Sequence, residues 1–325
     1  MLCLGIESTA HTVGVGVARQ QDKTEILANV NSSYSPSIGG IHPREAAEHH
    51  VKALPELMEK SIEAAGIEFE DLDVISFAKG PGLGPCLRVG ATAARTLALT
   101  LKKPIIGVNH CIAHIEIGKM TMGCKSPVML YVSGGNTQVI SYRQKRYRIM
   151  GETLDIGIGN LLDKFGRQFS IPFPCGPRIE ELARTGKKML DLPYSVKGMD
   201  VSFSGILTSL STLSGEKLED LCFSLQETAF AMLVEVTERA MAYLEKDELL
   251  LGGGVASNQR LREMCSIMAK ERGAGAFVPK GQYCVDNGAM IALLGLLMKD
   301  QASSDLDRTK VNQNFRADEV EVTWL

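Results

Sequence analysis

Two histidines one helical turn apart are the residues of this sequence best spaced to do chemistry. His110 and His114 stand in the stretch NHCIAH with uncharged residues between them, so on a helix their rings lie on one face. That spacing supplies half of a metal site, although two helix-face histidines capped by neighbouring groups fit it equally well. A metalloprotease of the H-E-x-x-H type would place its general base at position 111, where this chain has cysteine.

A carboxylate from elsewhere in the chain would complete such a site. Asp286, in QYCVDNGAMIA, stands just ahead of an apolar helix, and two histidines with one carboxylate suit Fe(II) or Zn(II). Aspartate in that position is also a favourable N-cap, which is the simpler interpretation of the residue taken alone. A second cluster, HPREAAEHH at 42–50, is more typical of a polar helix face than of a ligand set.

Two small polar turns are candidates for binding phosphate. The turn TAHT follows the strand LCLGIES, and the turn GGNT follows the strand PVMLYVS. Ser8 and Thr9 in the first turn, and Ser133 to Gly135 in the second, would present backbone N–H groups to an anion, with glycine allowing close approach. Either turn alone would be taken for an ordinary β-turn. KGPGLGP is not a Rossmann fingerprint, because Pro85 replaces its third glycine, and no Walker lysine is present.

The secondary-structure elements that must position these residues follow the same order in both halves of the chain. Each half opens with two strands and continues through a helix, a buried strand, a glycine-rich turn and another helix. Apolar strands followed by helices predict sheets covered by helices. We therefore predict an N-terminal lobe over residues 1–125 and a C-terminal lobe over 126–325, with a helical insertion around 150–220. The layout resembles the actin, sugar-kinase and Hsp70 superfamily, an α/β fold of two lobes that each open with a ββ-hairpin.

Composition restricts the class of protein further. The chain is 45% apolar and 22% charged, as in well-packed globular proteins, and its net charge of −3 excludes a globally basic nucleic-acid binder. Eight scattered cysteines without a C-x-x-C pair favour reduced thiols in the cytoplasm. The N-terminus lacks a signal-peptide pattern, and the longest apolar run, 289–298, is about half a bilayer span, so we expect no membrane segment.

The whole chain resembles the family that makes threonylcarbamoyladenosine in tRNA. Its bacterial member is TsaD, and its archaeal and eukaryotic members are the catalytic subunit of the KEOPS complex. No single motif is specific, but the set in this order is. The motifs are GIESTAHT, GGIHPREAAEHH, AKGPGLGPCLRVG, NHCIAHIEIG, YVSGGNTQ, GETLDIGIGNLLDKFGR, KGMDVSFSG, GGGVASNQRLR and YCVDNGAMIA. Tyr131 and the segment ADEVEVTW are similar to the archaeal branch.

The resemblance implies a metal ion, a nucleotide and residues for each. His110, His114 and Asp286 would bind one Fe(2+), with Zn(2+) as the alternative, and Tyr131 would join them as in archaeal members. The third ligand would thus come from the other lobe. Glu7 and Asp155 would point into the cleft as candidate catalytic residues. Threonylcarbamoyl-AMP, or ATP or ADP, would be bound by Tyr131, Val132, Ser133, Gly134, Gly135, Asp163, Gly176, Glu180 and Asn258.

Within that set, the resemblance assigns each group a separate task. The backbone from Tyr131 to Gly135 would hold the phosphate and acyl region, while Asp163 and Glu180 would accept hydrogen bonds from ribose hydroxyls. Gly176 would let the adenosine approach the backbone, and Asn258 would contact the adenosine. In this chain Cys175 precedes Gly176 where the family usually has another glycine, and cysteine would be strained there if the position needed a positive φ.

The implied reaction transfers threonylcarbamoyl from its AMP anhydride to the exocyclic amine of adenosine 37, in tRNAs that read codons beginning with A. The protein would be a metal-dependent acyltransferase. Its partners would be tRNA and KEOPS subunits, including a small dimer-forming subunit and a small atypical protein kinase that often follows in the same chain in archaeal relatives. The alternatives are an ATPase or kinase of the same superfamily and a nucleotide-gated scaffold for a partner kinase. A metalloprotease is supported only by H-x-x-x-H.

The segment RQKRYR is a candidate for contacting tRNA. It concentrates four cations directly after the second hairpin, although a solvated hairpin explains it equally well. The residues are Arg143, Lys145, Arg146 and Arg148, and Arg184, Lys187 and Lys188 would extend the patch.

Overall fold

The computed structural model describes residues 1–36, 40–213 and 215–325, so that Gly39 of the motif GGIHPREAAEHH lies outside the described residues. The strands are β1 (Leu2–Glu7), β2 (Thr12–Gln20), β3 (Thr24–Ser33), β4 (Val74–Gly80), β5 (Ile105–Asn109), β6 (Val128–Val132), β7 (Thr137–Arg143), β8 (Arg146–Glu152), β9 (Val196–Lys197), β10 (Asp200–Val201), β11 (Glu248–Gly252) and β12 (Gly275–Phe277). The helices are α1 (Pro43–Ala65), α2 (Gly84–Leu101), α3 (His110–Met122), α4 (Ile158–Gln168), α5 (Cys175–Ala183), α6 (Ser204–Thr212), α7 (Leu218–Leu244), α8 (Gln259–Glu271), α9 (Gly281–Cys284) and α10 (Gly288–Leu297).

Two five-stranded sheets repeat the same connectivity. Their strand orders are β3-β2-β1-β4-β5 and β8-β7-β6-β11-β12. In each sheet the first three strands along the chain pair antiparallel, and the last two extend the sheet in parallel. This confirms the predicted α/β fold of two halves that each open with a hairpin. The third strands, β3 and β8, are not predicted from the sequence, because their polar residues obscure the alternation of a half-buried strand.

The region expected to be a helical insertion contains α4, α5, the small β9–β10 ribbon and α6. The lobe boundary between residues 125 and 126 stays a prediction. No helix in the described part of the chain is both long and apolar enough to cross a membrane.

Helix α10 packs directly on the first sheet, although it comes late in the chain. It contacts β1, β2 and β4. A Cβ added to Gly5 would lie 2.1 Å from the backbone nitrogen of Ala292, and one added to Gly16 would lie 2.3 Å from that of Ala289. Only glycine in the strands allows such close packing. The N-terminus of α10, just after Asp286, is therefore held against the first sheet.

Helix α3 begins where strand β5 ends, and it lies between the two sheets. It contacts β4, β5 and α10 on one side and β11 on the other. Every residue from His110 to Gly118 is buried. Asn109 caps the helix, because its Oδ1 accepts hydrogen bonds from the N–H groups of Cys111 at 3.0 Å and Ile112 at 3.1 Å. The helix thus carries His110 and His114 into the space between the sheets.

Candidate active site

The residues predicted to bind a metal ion converge on one point. Nε2 of His110 and Nε2 of His114 each lie 3.3 Å from Oδ1 of Asp286, and the three ligand atoms lie within 4.8 Å of one another. The Tyr131 hydroxyl lies 2.9 Å from His110 Nε2. Neighbouring ligand atoms on one Fe or Zn ion are separated by about 3.0–3.5 Å, and the two distances from the histidines to Asp286 fall in this range. Two imidazoles with one carboxylate suit such an ion, so these residues fit it.

Asp286 is available for this role because its neighbour caps α10. Asn287 Oδ1 accepts a hydrogen bond from Met290 N at 3.0 Å, and Asn287 Nδ2 donates to the Val285 carbonyl at 2.8 Å. The interpretation of Asp286 as an N-cap is therefore wrong. The residue was expected to reach the histidines from the second lobe, but it does so from α10, which lies on the first sheet.

Glu7 fixes the orientation of the His110 ring. Its Oε2 lies 2.8 Å from His110 Nδ1, and its Oε1 accepts hydrogen bonds from the backbone N–H and the hydroxyl of Thr9, both at 2.6 Å. A carboxylate on Nδ1 holds a proton on that nitrogen and leaves Nε2 for a metal ion. Glu7 is fully buried and contacts His110, so the structure gives it a positioning contact rather than exposure to the cleft.

The buried charges govern protonation at this point. Burial by itself lowers the pKa of His110, but the carboxylates of Glu7 and Asp286 outweigh it and raise that pKa to about 10. Burial lowers the pKa of His114. Burial would raise the pKa of Asp286, yet the two histidines hold it well below its ordinary value. A cation and a proton on His110 Nε2 therefore compete for the same position beside Asp286.

The turn between β6 and β7 is open on one side. A Cβ added to Gly135 would meet nothing within 4 Å, and one added to Gly134 would meet only Asn160 Oδ1 at 3.9 Å. Tyr131 lies two residues before Ser133, so this open turn is close in the chain to the candidate metal ligands. The free space beside the glycine backbone is where an anion could approach the N–H groups.

The other side of the same turn is held by the N-terminus of α4. Gly159 N donates to the Ser133 carbonyl at 3.1 Å. A Cβ added to Gly157 would lie 2.6 Å from the Gly134 carbonyl oxygen, and one added to Gly159 would lie 2.7 Å from Gly134 Cα. The glycines of DIGIGN were not singled out from the sequence, although a G-x-G at a helix start is a signal of close backbone packing.

The corresponding turn in the first sheet is closed. Ser8 is 0% exposed and Thr9 is 2% exposed, and a Cβ added to Gly90 would lie 2.1 Å from Ser8 Oγ. Thr9 is engaged by Glu7 through both its N–H and its hydroxyl. The phosphate contact predicted for Ser8 and Thr9 stays a prediction.

Three successive carbonyl groups anchor this first turn to the rest of the protein. One of the anchoring residues is His50 of α1, whose ring points inward and bonds the turn. Because His50 is 0% exposed, its assignment to a polar helix face is wrong. The anchoring bonds run from Leu83 N to Thr9 O at 2.7 Å, from His50 Nε2 to Ala10 O at 3.0 Å and from Tyr34 N to His11 O at 2.8 Å.

The remaining residues expected to bind nucleotide lie on α4, α5 and the start of α8. Asp163 is half-buried, and burial raises the pKa of its carboxyl. Glu180 Oε1 accepts a hydrogen bond from Gln259 N at 3.1 Å and so joins α5 to α8. Asn258 caps α8 through Oδ1 and donates from Nδ2 to Gln226 Oε1 at 2.9 Å. The nucleotide contacts of Asp163, Glu180 and Asn258 stay predictions.

Gly176 and its neighbour lie in the first turn of α5. Cys175 begins that helix, so it has helical backbone and the strain considered for a positive φ does not arise. The Cys175 side chain is buried against Gly166, where an added Cβ would lie 2.3 Å from its sulfur.

Asp155, expected to point into the cleft, anchors helix α6. Its carboxylate accepts hydrogen bonds from Phe203 N and Ser204 N, both at 2.9 Å, and from Ser204 Oγ at 2.6 Å. Burial by itself raises the pKa of Asp155, but these donors outweigh it and lower the pKa to about 2. The carboxylate therefore binds the free N–H groups at the N-terminus of α6.

The basic segment forms the two-residue hairpin turn between β7 and β8. Gln144 and Lys145 both have positive φ, as a tight hairpin turn requires. Arg143 and Arg146 face each other across the strands, and Arg143 lies 5.1 Å from the Tyr243 ring. No carboxylate within the described ranges pairs with the exposed cations Arg143, Lys145, Arg146 and Arg148.

This hairpin turn and the open glycine turn lie at opposite ends of β7, about 20 Å apart. The structure therefore does not bring the predicted RNA-binding cations beside the candidate metal ligands. Two of the residues expected to extend the patch are already paired, since Arg184 bonds Glu180 and Lys188 bonds Glu216.

Comparison with known proteins places this geometry in a family. The family model described as tRNA N6-adenosine threonylcarbamoyltransferase, TsaD, matches residues 25–293. A protein of that name from Thermococcus kodakarensis is 57% identical over the full length of both chains. A probable bifunctional tRNA threonylcarbamoyladenosine biosynthesis protein from Thermoplasma volcanium is 58% identical, and one from Methanocaldococcus jannaschii is 56% identical. This chain spans 62% and 61% of the lengths of those two bifunctional relatives.

Solved structures share the fold at low sequence identity. HypF from T. kodakarensis superposes with a TM-score of 0.65 at 15% identity, over 94% of this chain and 49% of that one. The activator of 2-hydroxyisocaproyl-CoA dehydratase from Clostridium difficile gives a TM-score of 0.55 at 11% identity, over 95% of this chain and 96% of that one. These similarities support the two-lobed architecture.

Proposed function

The chain belongs to the TsaD family of tRNA N6-adenosine threonylcarbamoyltransferases, and we propose that it transfers threonylcarbamoyl from threonylcarbamoyl-AMP to the exocyclic amine of adenosine 37 in tRNAs that read codons beginning with A. The observation that carries this proposal is the convergence of His110, His114 and Asp286 beside Tyr131, which lies two residues before an open glycine turn. An acyl phosphate anhydride would suit these two sites, with its acyl group at the ion and its phosphate at the glycine turn.

One Fe(2+), or alternatively Zn(2+), would be held by His110, His114 and Asp286, with Tyr131 beside them. Such an ion supplies positive charge that polarises a carbonyl group. Glu7 would keep His110 in the tautomer that presents Nε2 to the ion. The orientation of His110 thus depends on its buried contact with Glu7.

The nucleotide half of the site would bind and orient AMP. The N–H groups of Ser133 to Gly135 would face the phosphate, and Asp163 and Glu180 would accept hydrogen bonds from the ribose. During transfer, the C–N bond to adenosine forms, the C–O bond to the phosphate breaks, and the proton of the amine passes to the departing phosphate or to solvent. Backbone N–H groups aimed at the phosphate would stabilise the negative charge of the departing AMP. Gly176 and Asn258 would border the adenosine.

The β7–β8 hairpin would contact the tRNA backbone away from the reacting base. Like charges opposite each other on neighbouring strands destabilise a hairpin, so the juxtaposition of Arg143 and Arg146 favours an anionic ligand. Arg148 lies on the same face, because its partner Ser141 and Arg143 are two residues apart on β7. Phosphates bound at several arginines would make tRNA affinity fall steeply with salt.

Partners and location follow from the same resemblance. The proposed partners are tRNA and KEOPS subunits, among them a small dimer-forming subunit and a small atypical kinase; the bifunctional names of the T. volcanium and M. jannaschii relatives support a second function in a longer chain. The proposed location is the cytoplasm, which the eight unpaired, buried cysteines support.

The proposed transfer is tested by a reconstitution with labelled threonine, bicarbonate, ATP, an adenylate-forming enzyme, partner subunits and unmodified tRNA. We expect label in tRNA with the wild-type chain and none with His110→Ala and His114→Ala. Phosphate release from ATP by the wild-type chain alone, without the adenylate-forming enzyme and the partner subunits, together with no label in tRNA in the full reconstitution, would support the ATPase alternative. For the hairpin, a double Arg146→Glu, Arg148→Glu variant should weaken tRNA binding about tenfold or more. Arg178→Glu is the control, because Arg178 is an exposed cation already paired with Glu181.

A further inference from the structure

A segment near the C-terminus, residues 312–324, contacts helix α3 on both sides of its two histidines. We propose that Asn109 and Glu116 are positioning residues through which this segment holds α3, and with it His110 and His114, in register between the two sheets. The consequence for an ion rests on the proposed function, whereas the positioning itself does not.

The first contact lies at the N-terminus of α3. Asn109 is fully buried, and while its Oδ1 caps the helix, its Nδ2 donates to the Phe315 carbonyl at 2.9 Å. The segment is itself attached nearby, because Asn312 N donates to the Lys79 carbonyl on β4 at 2.9 Å. The residue immediately before His110 is thus tied to both its own helix and the segment.

The second contact lies two residues beyond His114. Trp324 Nε1 donates to Glu116 Oε1 at 3.0 Å. The same carboxylate accepts a hydrogen bond from the Tyr147 hydroxyl of β8, and its Oε2 lies 3.0 Å from Lys119 Nζ. Glu116 is 5% exposed, so these partners compensate a buried charge. The carboxylate joins α3, the second sheet and the segment.

Between these contacts the segment crosses from the first sheet to the second. Arg316 bonds Glu152 of β8 at 3.2 Å. Ala317 and Val320 are buried in the same core as Cys111 and Ile115 of α3. The segment therefore fixes α3 relative to both sheets rather than to one.

The composition of α3 explains why such anchors matter. The helix is buried all round from His110 to Gly118, and apolar packing is non-directional, so packing alone leaves its rotation and shift weakly specified. Hydrogen bonds have direction and specify one register. His110 is oriented by Glu7, but in the described part of the structure His114 Nδ1 has no partner, so the ring of His114 depends on where the helix lies.

Amide hydrogen exchange of residues 110–118, measured without added ion or tRNA, tests the proposal. Asn109→Ser keeps a capping oxygen but loses the link to Phe315, and Trp324→Phe keeps an aromatic ring but loses the N–H group. We expect each variant to speed exchange in α3 about fivefold and the double variant more, with exchange in β11 unchanged. Thr323→Val is the matched control, since Thr323 bonds Gln301 and not α3.

A second readout connects the same variants to the ion. Zinc or iron loaded into the protein should pass to a chromophoric chelator about tenfold faster in the double variant than in the wild type or Thr323→Val. Unchanged exchange in α3 would overturn the proposal, as would equal acceleration in α3 and β11, because that would indicate general destabilisation. If α3 loosens as expected while the wild-type protein transfers no threonylcarbamoyl, the positioning role stands and the proposed function fails.

Discussion

The two turns that open the two sheets have the same place in the fold and opposite surroundings. In the first, at residues 8–11, Ser8 and Thr9 are buried, and other elements bond three of the turn's carbonyls. In the second, at residues 133–136, the start of α4 bonds the carbonyls of Ser133 and Gly134 from one side, and the space beside Gly135 is open. A duplicated backbone has thus acquired one closed turn and one open turn.

This difference separates two tasks. In the first half, Glu7 and Thr9 direct their polar groups inward, toward His110 and toward each other. In the second half, the glycine backbone is free to face a ligand. We infer that the first turn builds the metal half of the site and the second turn receives the nucleotide. A substitution in one turn should therefore impair one task and leave the other unchanged.

Among substitutions at or around the two turns, the largest effect is expected from Glu7→Gln. A glutamine amide cannot accept from both His110 and Thr9, because one of its two ends becomes a donor. Affinity for zinc or iron should fall about 10- to 100-fold, as for other residues that orient a metal-bound histidine. Competition with a chelator measures this, and nucleotide affinity in the same protein should stay within about twofold. An unchanged ion affinity would remove Glu7 from the account.

The complementary change is Gly157→Ala, beneath the second turn. The added methyl would overlap the Gly134 carbonyl at 2.6 Å, so the turn must shift. Affinity for an AMP analogue should drop about tenfold by calorimetry, since overpacking of this kind costs about 1–3 kcal/mol. Gly205→Ala is the control, because its added methyl would lie an ordinary 3.7 Å from Pro193. Equal losses of nucleotide affinity in the two variants would mean that the second turn does not bind the nucleotide.

Asp163→Asn should act on the same side with a smaller effect. The amide retains the shape of the side chain but removes the charge that strengthens a bond to a ribose hydroxyl. Nucleotide affinity should fall about fivefold, whereas ion affinity should not change. A deoxyribose analogue should lose less affinity on this substitution than the ribose form. If both forms lose equally, the carboxylate does not contact the ribose.

His50→Phe is expected to give the smallest functional effect. The ring volume is kept, but the Ala10 carbonyl loses its donor, which destabilises the protein by about 1–3 kcal/mol. Because Ala10 follows Thr9, ion affinity should fall about two- to threefold while nucleotide affinity is preserved. Urea unfolding with the two binding measurements checks this. A loss of nucleotide affinity with unchanged ion affinity would contradict the assignment of the first turn to the metal half of the site.

The fold could be predicted, and the two histidines proposed as metal ligands could be singled out, because their signals are local or repeated. The spacing of His110 and His114 and the doubled strand–turn–strand pattern are visible without long-range information. Asp286 was a candidate ligand because it precedes an apolar helix, and the family resemblance then selected it. Its alternative interpretation as the N-cap was wrong, because Asn287 caps α10. Asparagine and aspartate are nearly equal as caps, so adjacent candidates cannot be separated by type.

What could not be predicted depends on contacts between distant residues. The inward turn of His50, the anchoring of α6 by Asp155 and the bond from Trp324 to Glu116 join positions 40 or more residues apart. The packing of α10 on the first sheet is of the same kind, because it follows from glycines in two strands that lie far from the helix in sequence.

We propose that the metal half and the nucleotide half are separable parts of one transfer site. The most direct test measures threonylcarbamoyl transfer by the Asp286→Ala variant at nucleotide concentrations that calorimetry shows to be saturating. We predict that nucleotide affinity stays within about threefold of wild type while transfer to tRNA falls by about two orders of magnitude or more. Transfer at the wild-type rate, with nucleotide bound, would contradict the account.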